Sequence, residues 1–245
     1  MRIAVMSDIH GNFEAFCRCM EDIERSDVDR IVNLGDAIGY GPQPEEILRL
    51  LKTYCIPNIL GNHELAVLDK KYRDDFSPHA LRSLEQTLKY LTSAVLRYIG
   101  TLPRYLEMEG ALFVHGCPPD SSTTYLHHMS LTEIKETFTS NCFAIAFVGH
   151  THRMMLVGYD GKDLQFDPLQ QGTIQLRSKY QYIVNVGAVG QPRDGDPRAK
   201  YVIWDKDQKT LQIRRVDYDA DRVIALMGER GFLQRDAERL LTPNL

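Results

Sequence analysis

No apolar run in this chain approaches the ~20 residues that a bilayer-spanning helix needs, and the opening Met1-Arg2-Ile3-Ala4-Val5-Met6-Ser7-Asp8 turns polar too early for a secretory signal. A cytoplasmic protein with no membrane partner is the expectation. Cysteine is sparse and unpatterned. The five residues Cys17, Cys19, Cys55, Cys117 and Cys142 are odd in number and contain no CxxC spacing, which argues against a disulfide framework or a thiolate zinc site. Small buried residues are the natural role for most of them. Basic charge is not in excess either: 29 Lys and Arg stand against 33 Asp and Glu, a formal net charge of -4. A broad basic surface for long nucleic acid is therefore not expected. Fixed-period repeats and low-complexity linkers are also missing.

What is present is the material of a layered α/β protein. The 245 residues, 43% hydrophobic and 25% charged, can bury a sizeable core without cross-links, and one domain over 1–245 is expected. Residues 2–7 are β-prone and run into the polar cluster Asp8-Ile9-His10-Gly11-Asn12. A helical pattern follows over Phe13–Glu24, then a short apolar strand over Arg30–Leu34 ending at Gly35-Asp36. Pro42-Gln43-Pro44 opens a helix through Leu51, and Ile56–Leu60 reads as a third buried strand stopping at Gly61-Asn62-His63-Glu64. Residues 79–99 are helix-rich, ended by Gly100 and Pro103. The second half is mostly β, with strands expected at 111–114, 144–148, 174–176, 182–186, 201–204 and 211–216, a hairpin turn at 205–209, and helices over 220–230 and 235–241.

Five short motifs stand at the ends of expected strands: Asp8-Ile9-His10, Gly35-Asp36, Gly61-Asn62-His63-Glu64, His115-Gly116 and Gly149-His150-Thr151-His152. Any one alone would be a turn or a solvated surface feature. Together, in this order, they reverse that judgment, because open α/β sheets place ligand sites beyond the carboxyl ends of their strands. Mixed carboxylate and imidazole ligands suit Mn, Fe, Zn or Ni better than all-oxygen or all-sulfur shells do.

This ordered set resembles the calcineurin-like metallophosphoesterase family from Asp8 to at least His152. Gln191-Pro192-Arg193-Asp194-Gly195-Asp196 is similar to a late motif of its small bacterial phosphodiesterase branch. The resemblance implies a four-layer α/β/β/α sandwich with two facing mixed β-sheets. It implies one metal ion on Asp8, His10, Asp36 and His152 and a second on Asp36, Asn62, His115 and His150, with Asp36 bridging. The cofactor expected is therefore two divalent ions, Mn favoured, with Fe, Zn, Ni or Mg as alternatives. Such a pair would add four positive charges at one spot of a mildly acidic protein. It would hydrolyse a phosphate ester through a bridging hydroxide and in-line attack, with no Ser or Cys nucleophile. His63 is implied as the catalytic residue near the departing oxygen, protonating it or stabilising its charge.

Departures from the family pattern narrow the substrate. In related protein phosphatases an Asp three residues beyond the bridging Asp orients the histidine, and here that position is Gly39. Those phosphatases also carry arginines after the Asn-His-Glu and bridging-Asp motifs, where this chain reads Leu65-Ala66 and Tyr40-Gly41. A phosphoprotein is thus disfavoured, and Arg193 is the candidate substrate contact. Glu64 is assigned to capping backbone donors, Cys117 to packing, and His127-His128 to a solvated loop outside the site. The function expected is metal-dependent hydrolysis of a small phosphate ester, a diester by preference. The alternatives are a nucleotide or dinucleotide pyrophosphatase, or a non-catalytic protein-binding scaffold of the same fold. No expectation for oligomeric state follows.

Overall fold

A computed structural model of the chain describes residues 1–242. The first half comprises β1 (Arg2–Met6), α1 (Phe13–Glu24), β2 (Arg30–Asn33), α2 (Pro44–Thr53), α3 (Asn62–Leu68), α4 (Pro78–Leu88) and α5 (Ser93–Ile99). Then come β3 (Tyr105–Met108), β4 (Ala111–Val114), α6 (Leu131–Ser140), β5 (Ile145–Val148), β6 (Met154–Tyr159), β7 (Leu164–Pro168) and β8 (Gly172–Gln175). The chain continues with β9 (Gln181–Val186), β10 (Ala199–Asp205), β11 (Thr210–Val216), α7 (Ala220–Glu229) and α8 (Gln234–Leu241).

The strands form two mixed sheets, ordered β2-β1-β10-β11-β8 and β3-β4-β5-β9-β6-β7. The two-residue period of a strand sorts its side chains between two cores. Along β1, Ile3 and Val5 enter the core between the sheets, whereas Ala4 and Met6 face helices α1 and α2. In β5, Ile145 and Phe147 meet the first sheet while Ala146 and Val148 pack under Ile134 and Phe138 of α6. Three stacked cores make four layers, the α/β/β/α sandwich that the motifs implied.

Helix α1 shows how local sequence sets a layer. Asn12 caps it by accepting from the Ala15 N–H at 3.0 Å, a contribution of about 1 kcal/mol. Ala15, Phe16, Cys19 and Ile23 then form its buried stripe.

The expected strand at Ile56–Leu60 is a correction. This segment runs beside β2 but makes only one bridge, Asn33 to Asn58, in parallel sense. Pro57 has no N–H to give to a ladder, the Leu60 N–H donates to the Pro103 carbonyl at 2.8 Å, and the Asn33 and Asn58 amides bond each other at 2.7 Å. The 79–99 helical stretch is two helices, α4 and α5, the second capped by Thr92.

Strands β1 and β2 are parallel, as are β4, β5 and β9. Loops leaving the two sheets are tied together: the Val189 and Gly190 N–H groups donate to the Ser7 and Asp8 carbonyls at 3.0 and 2.9 Å, and Gly149 donates to His115 at 2.8 Å. All five motifs consequently meet at one end of the sandwich.

Candidate metal centre

The loops that carry the motifs adopt backbone conformations that side chains other than glycine rarely take. Asp8, His10, Asp36, His150 and His152 have φ of 54°, 47°, 51°, 65° and 59°, in the left-handed region. Each costs on the order of 1–3 kcal/mol and persists only where its surroundings enforce it. Backbone hydrogen bonds do so: Asp8 donates to Gly35 at 3.1 Å and His10 to Asp36 at 2.9 Å. Gly61 is required for a different reason. A Cβ there would collide with the Asp36 carboxylate and backbone N.

Asp8, His10, Asp36, Asn62, His115, His150 and His152 are all buried and all meet here. Their donor atoms form linked groups, Asp8–His10–His152 and Asp36–His115–His150, within which the atoms lie no more than 4.8 Å apart. Asp36 joins them, its Oδ2 lying 3.7 Å from His10 Nε2 and 3.3 Å from His115 Nε2. Its Oδ1 accepts from the His63 N–H at 2.9 Å.

A backbone carbonyl fixes the orientation of each of the four histidines. Nδ1 of His10, His115 and His152 donates to the carbonyls of Ile38, Leu34 and Gln191 at 2.8, 2.8 and 2.5 Å, and His150 Nε2 donates to Thr123 at 3.1 Å. A neutral imidazole has one N–H, so the other nitrogen of each ring presents a lone pair. His10 Nε2 and His152 Nε2 then face each other at 3.0 Å with no proton between them, beside an Asp8 Oδ1 that is buried without a hydrogen-bond partner. This is an arrangement a cation would satisfy, and a carbonyl on the far nitrogen is what holds a histidine ligand in place. The residues fit divalent metal ions.

Charge in the centre points the same way. Burial lowers the pKa of His10 and His152 and pushes His150 down to about 3, so these rings are neutral at pH 7. Burial opposes ionisation of Asp8 and Asp36, but the neighbouring His152 and His115 respectively hold both carboxyls below their usual range. For His115 burial is outweighed by the adjacent Asp36 carboxylate, which pushes it up to about 9. A metal ion would displace that proton.

Glu64 lies below the centre, fully buried, where it accepts from four backbone N–H groups: Asp36 at 2.9, Ala37 at 2.9, Ile38 at 3.3 and Gly61 at 3.0 Å. Burial and the Asp36 charge push its pKa up to about 8, while the four donors favour its anion. Its work is to cap the loops that present Asp36 and Asn62.

His63 sits within ligand reach of His10 and Asp36, but its Nδ1 is buried without a partner. Gly39, at φ 92°, occupies the place where related phosphatases have an orienting Asp, and a Cβ at this position would strike His63 Nδ1. Rings hold the imidazole instead: Tyr40, His10 and Phe76 stand at 4.8, 4.9 and 4.9 Å between centroids. Burial pushes its pKa down to about 4.

Asn62, His63 and His150 form part of the lining of a cavity of about 570 Å³ whose walls include Tyr40, Tyr72, Phe76, Tyr125 and Arg193. Arg193 is thus brought to the site, donating to Gln191 Oε1 at 3.0 Å and standing 5.7 Å over the Tyr40 ring. Cys117 is buried, and His127-His128 lie in an exposed 3-10 turn.

Several supporting residues escaped the sequence reading. Tyr125 stacks on His150 at 3.7 Å from a segment read only as a polar loop. Asn185 donates to Gly149 O and Thr151 Oγ1 at 2.7 and 2.9 Å, bracing the loop of His150 and His152. Lys200, fully buried, pairs with Asp194 at 2.9 Å and donates to the Asp196 and Arg198 carbonyls, which braces the loop carrying Arg193. Asn185 had a signal, as a polar residue closing the apolar run Tyr182–Val184.

Comparison with known proteins agrees with this centre. The calcineurin-like phosphoesterase superfamily domain matches residues 1–209. A metallophosphoesterase from Sphaerobacter thermophilus, known from its crystal structure, superposes with a TM-score of 0.85 at 32% identity, covering 99% of each chain. An uncharacterised protein of Methanocaldococcus jannaschii is 32% identical over 246 residues, spanning 95% of this chain and 98% of that one. The symmetrical bis(5'-nucleosyl)-tetraphosphatase of Coxiella burnetii is 32% identical over 121 residues, which are 47% of this chain and 42% of that enzyme. With the family domain spanning most of its length around buried aspartates and histidines suited to divalent ions, the chain belongs to the calcineurin-like phosphoesterase superfamily, a family of metal-dependent phosphate-ester hydrolases.

Proposed function

We propose that this protein hydrolyses a phosphodiester-type bond in a small substrate, using two divalent metal ions, Mn favoured. Asp8, His10, Asp36 and His152 would hold one ion, and Asp36, Asn62, His115 and His150 the other. The observation that carries this reading is the approach of His10 Nε2 and His152 Nε2 to 3.0 Å while Nδ1 of each ring is bonded to a backbone carbonyl, beside an Asp36 carboxylate placed between two donor groups. Held by these residues, two such ions would supply charge to neutralise phosphate oxygens and would lower the pKa of a bound water towards neutrality.

The chain's own residues do the remaining work. Asp36 and Glu64 fix the loops against each other, so the donors need no rearrangement when substrate arrives. His63 is assigned to the departing oxygen rather than to a metal, because it alone among the clustered histidines has no carbonyl on its second nitrogen. Its burial, reinforced by nearby cations, keeps it neutral. It therefore acts as a hydrogen-bond donor to developing negative charge rather than as an imidazolium acid. Arg193 is assigned to a non-reacting phosphate oxygen.

A second reading, hydrolysis within a nucleotide or dinucleotide phosphate chain, is favoured by the aromatic walls Tyr40, Tyr72, Phe76 and Tyr125, faces on which a base can stack, and by the similarity to the Coxiella burnetii tetraphosphatase. The test compares chelator-treated and Mn-loaded protein on bis(p-nitrophenyl) phosphate, p-nitrophenyl phosphate and diadenosine tetraphosphate. Metal-dependent turnover, faster on the diester than on the monoester, is expected. Absence of metal-dependent turnover on all three would leave the scaffold reading standing instead.

A further inference from the structure

The four histidines of the metal centre are not held alike. His10, His115 and His152 each donate Nδ1 to a backbone carbonyl in a buried contact, whereas His150 donates Nε2 to the Thr123 carbonyl at 3.1 Å in a partly buried one. A carbonyl can only accept, so His150 is left with Nδ1 for an ion and the other three rings with Nε2. Of these four residues only His150 lines the cavity of about 570 Å³. Its ring therefore stands at a wall of the site and needs a support that the other three do not.

That support comes from Tyr125. The two rings lie face to face, 3.7 Å apart between centroids and 24° apart in plane. A stacking contact of this kind uses the aromatic face and not the hydroxyl. The face turned to His150 is closed to a substrate, so what it acts on is the imidazole. Thr123 and Tyr125 thus hold one ring by its edge and by its face.

The segment 121–125 that carries both is itself tied to other residues proposed for the same ion. The Gly116 and Cys117 N–H groups donate to the Ser121 carbonyl at 2.9 and 3.0 Å, and Ser121 returns its N–H to Cys117 at 3.0 Å, which fastens the segment beside His115. Glycine is needed at 116, since a Cβ would lie 2.8 and 2.9 Å from the Ser121 and Thr124 carbonyl oxygens. Ser122, buried, donates its hydroxyl to the Leu60 carbonyl at 2.8 Å, two residues before Asn62. These ties reach the neighbourhoods of His115, Asn62 and His150. His10 and His152, proposed for the other ion, lean on Ile38 and Gln191 in different loops.

We infer that Tyr125 is a positioning residue for one ion of the pair, the one assigned to Asp36, Asn62, His115 and His150. Its ring face fixes the turn of the His150 imidazole and so sets the affinity of that ion while leaving the other unaffected. The inference rests on the two-ion reading of the site and deepens it, because occupancy of the two positions then depends on different parts of the chain.

The experiment titrates Mn(II) into chelator-stripped protein by calorimetry, for wild type, Tyr125→Ala and Tyr125→Phe. Groups that orient a metal ligand contribute about 10–100-fold in affinity, so Tyr125→Ala should weaken one Mn equivalent by about tenfold or more. The other equivalent should shift by less than about twofold, as expected of a site that shares no contact with the change. Tyr125→Phe keeps the ring and should bind both ions within about twofold of wild type. The Mn concentration giving half-maximal hydrolysis of bis(p-nitrophenyl) phosphate should rise in Tyr125→Ala by the same factor as the weakened equivalent, which a general loosening of the fold would not produce. If the alanine variant fails to fold, Tyr125→Leu takes its place; it keeps apolar bulk without a flat face and should weaken the same equivalent by roughly threefold or more. Two equivalents in wild type, with both steps unchanged or both weakened alike in the variant, overturn the inference and leave the two-ion reading standing. A wild-type plateau at one equivalent overturns that reading and the inference with it.

Discussion

The floor and the wall of the cavity are made by opposite means. The floor is loop backbone held in left-handed conformations, tied by carbonyls and by Glu64, with its functional side chains buried. One stretch of the wall is ordinary helix, α4 and α8, with Arg82 and Arg235 exposed at its rim. Positions on the floor are over-determined, and a single added methyl at Gly61 or Gly39 has nowhere to go. Positions on the wall are anchored from behind, by Asp236 and Leu240, and their outward faces are open to change. In the proposed reading, the chemistry common to any phosphate ester would belong to the rigid part, and the outer helices could vary without disturbing the metal ligands.

The sharpest way to break this division is on the floor. His63→Ala should lower kcat by about 10²–10⁴, the usual contribution of a positioned proton-transfer or hydrogen-bonding group, while metal content stays at the wild-type value. Gly39→Ala should produce a similar fall from a residue with no functional atoms, since its Cβ must push the His63 ring aside. Wild-type kcat in Gly39→Ala, measured beside metal content, would show that His63 does not need its present position.

A smaller effect tests the support beneath. Glu64→Gln replaces one acceptor oxygen with an NH2 that cannot receive the backbone donors it faces. Each stranded buried N–H costs about 1–3 kcal/mol, and each oxygen of Glu64 serves two. Urea unfolding should show a loss on the order of 2–5 kcal/mol with an unchanged m-value. A loss under 1 kcal/mol would mean that the loops of Asp36 and Asn62 are held by something else.

The smallest is a pH effect on the metal-free protein. Burial places His63 at about 4 and His150 at about 3 in the folded state, against about 6.5 unfolded. Between those values the unfolded chain binds more protons, so stability falls as pH drops from about 6.5 through about 4. Replacing His150 with Gln should flatten that part of the profile. An unchanged slope would contradict the assignment of a buried neutral His150.

The same contrast explains what could be read from the sequence. Asp8, His10, Asp36, Asn62, His63, His115, His150 and His152 announce themselves because residue type, turn-forming neighbours and strand ends coincide within a few positions. Most strands were legible from apolar runs, but Ile56–Leu60 misled because an apolar run does not reveal where its hydrogen bonds go, and Pro57 removes one. Helix α6 was overlooked although Ser130 and Glu133 form a capping box at its start. Tyr125 left little trace, since its stacking on His150 joins separate parts of the chain.

The central claim is a two-ion centre bridged by Asp36, and metal stoichiometry tests it directly. Wild-type protein stripped by chelator, titrated with Mn(II) and analysed for bound metal should reach two equivalents per chain, with hydrolysis of bis(p-nitrophenyl) phosphate rising in step, and Asp36→Asn should lose both binding and more than about a hundredfold in rate. A plateau at one equivalent, or full activity in the chelated protein, would contradict it.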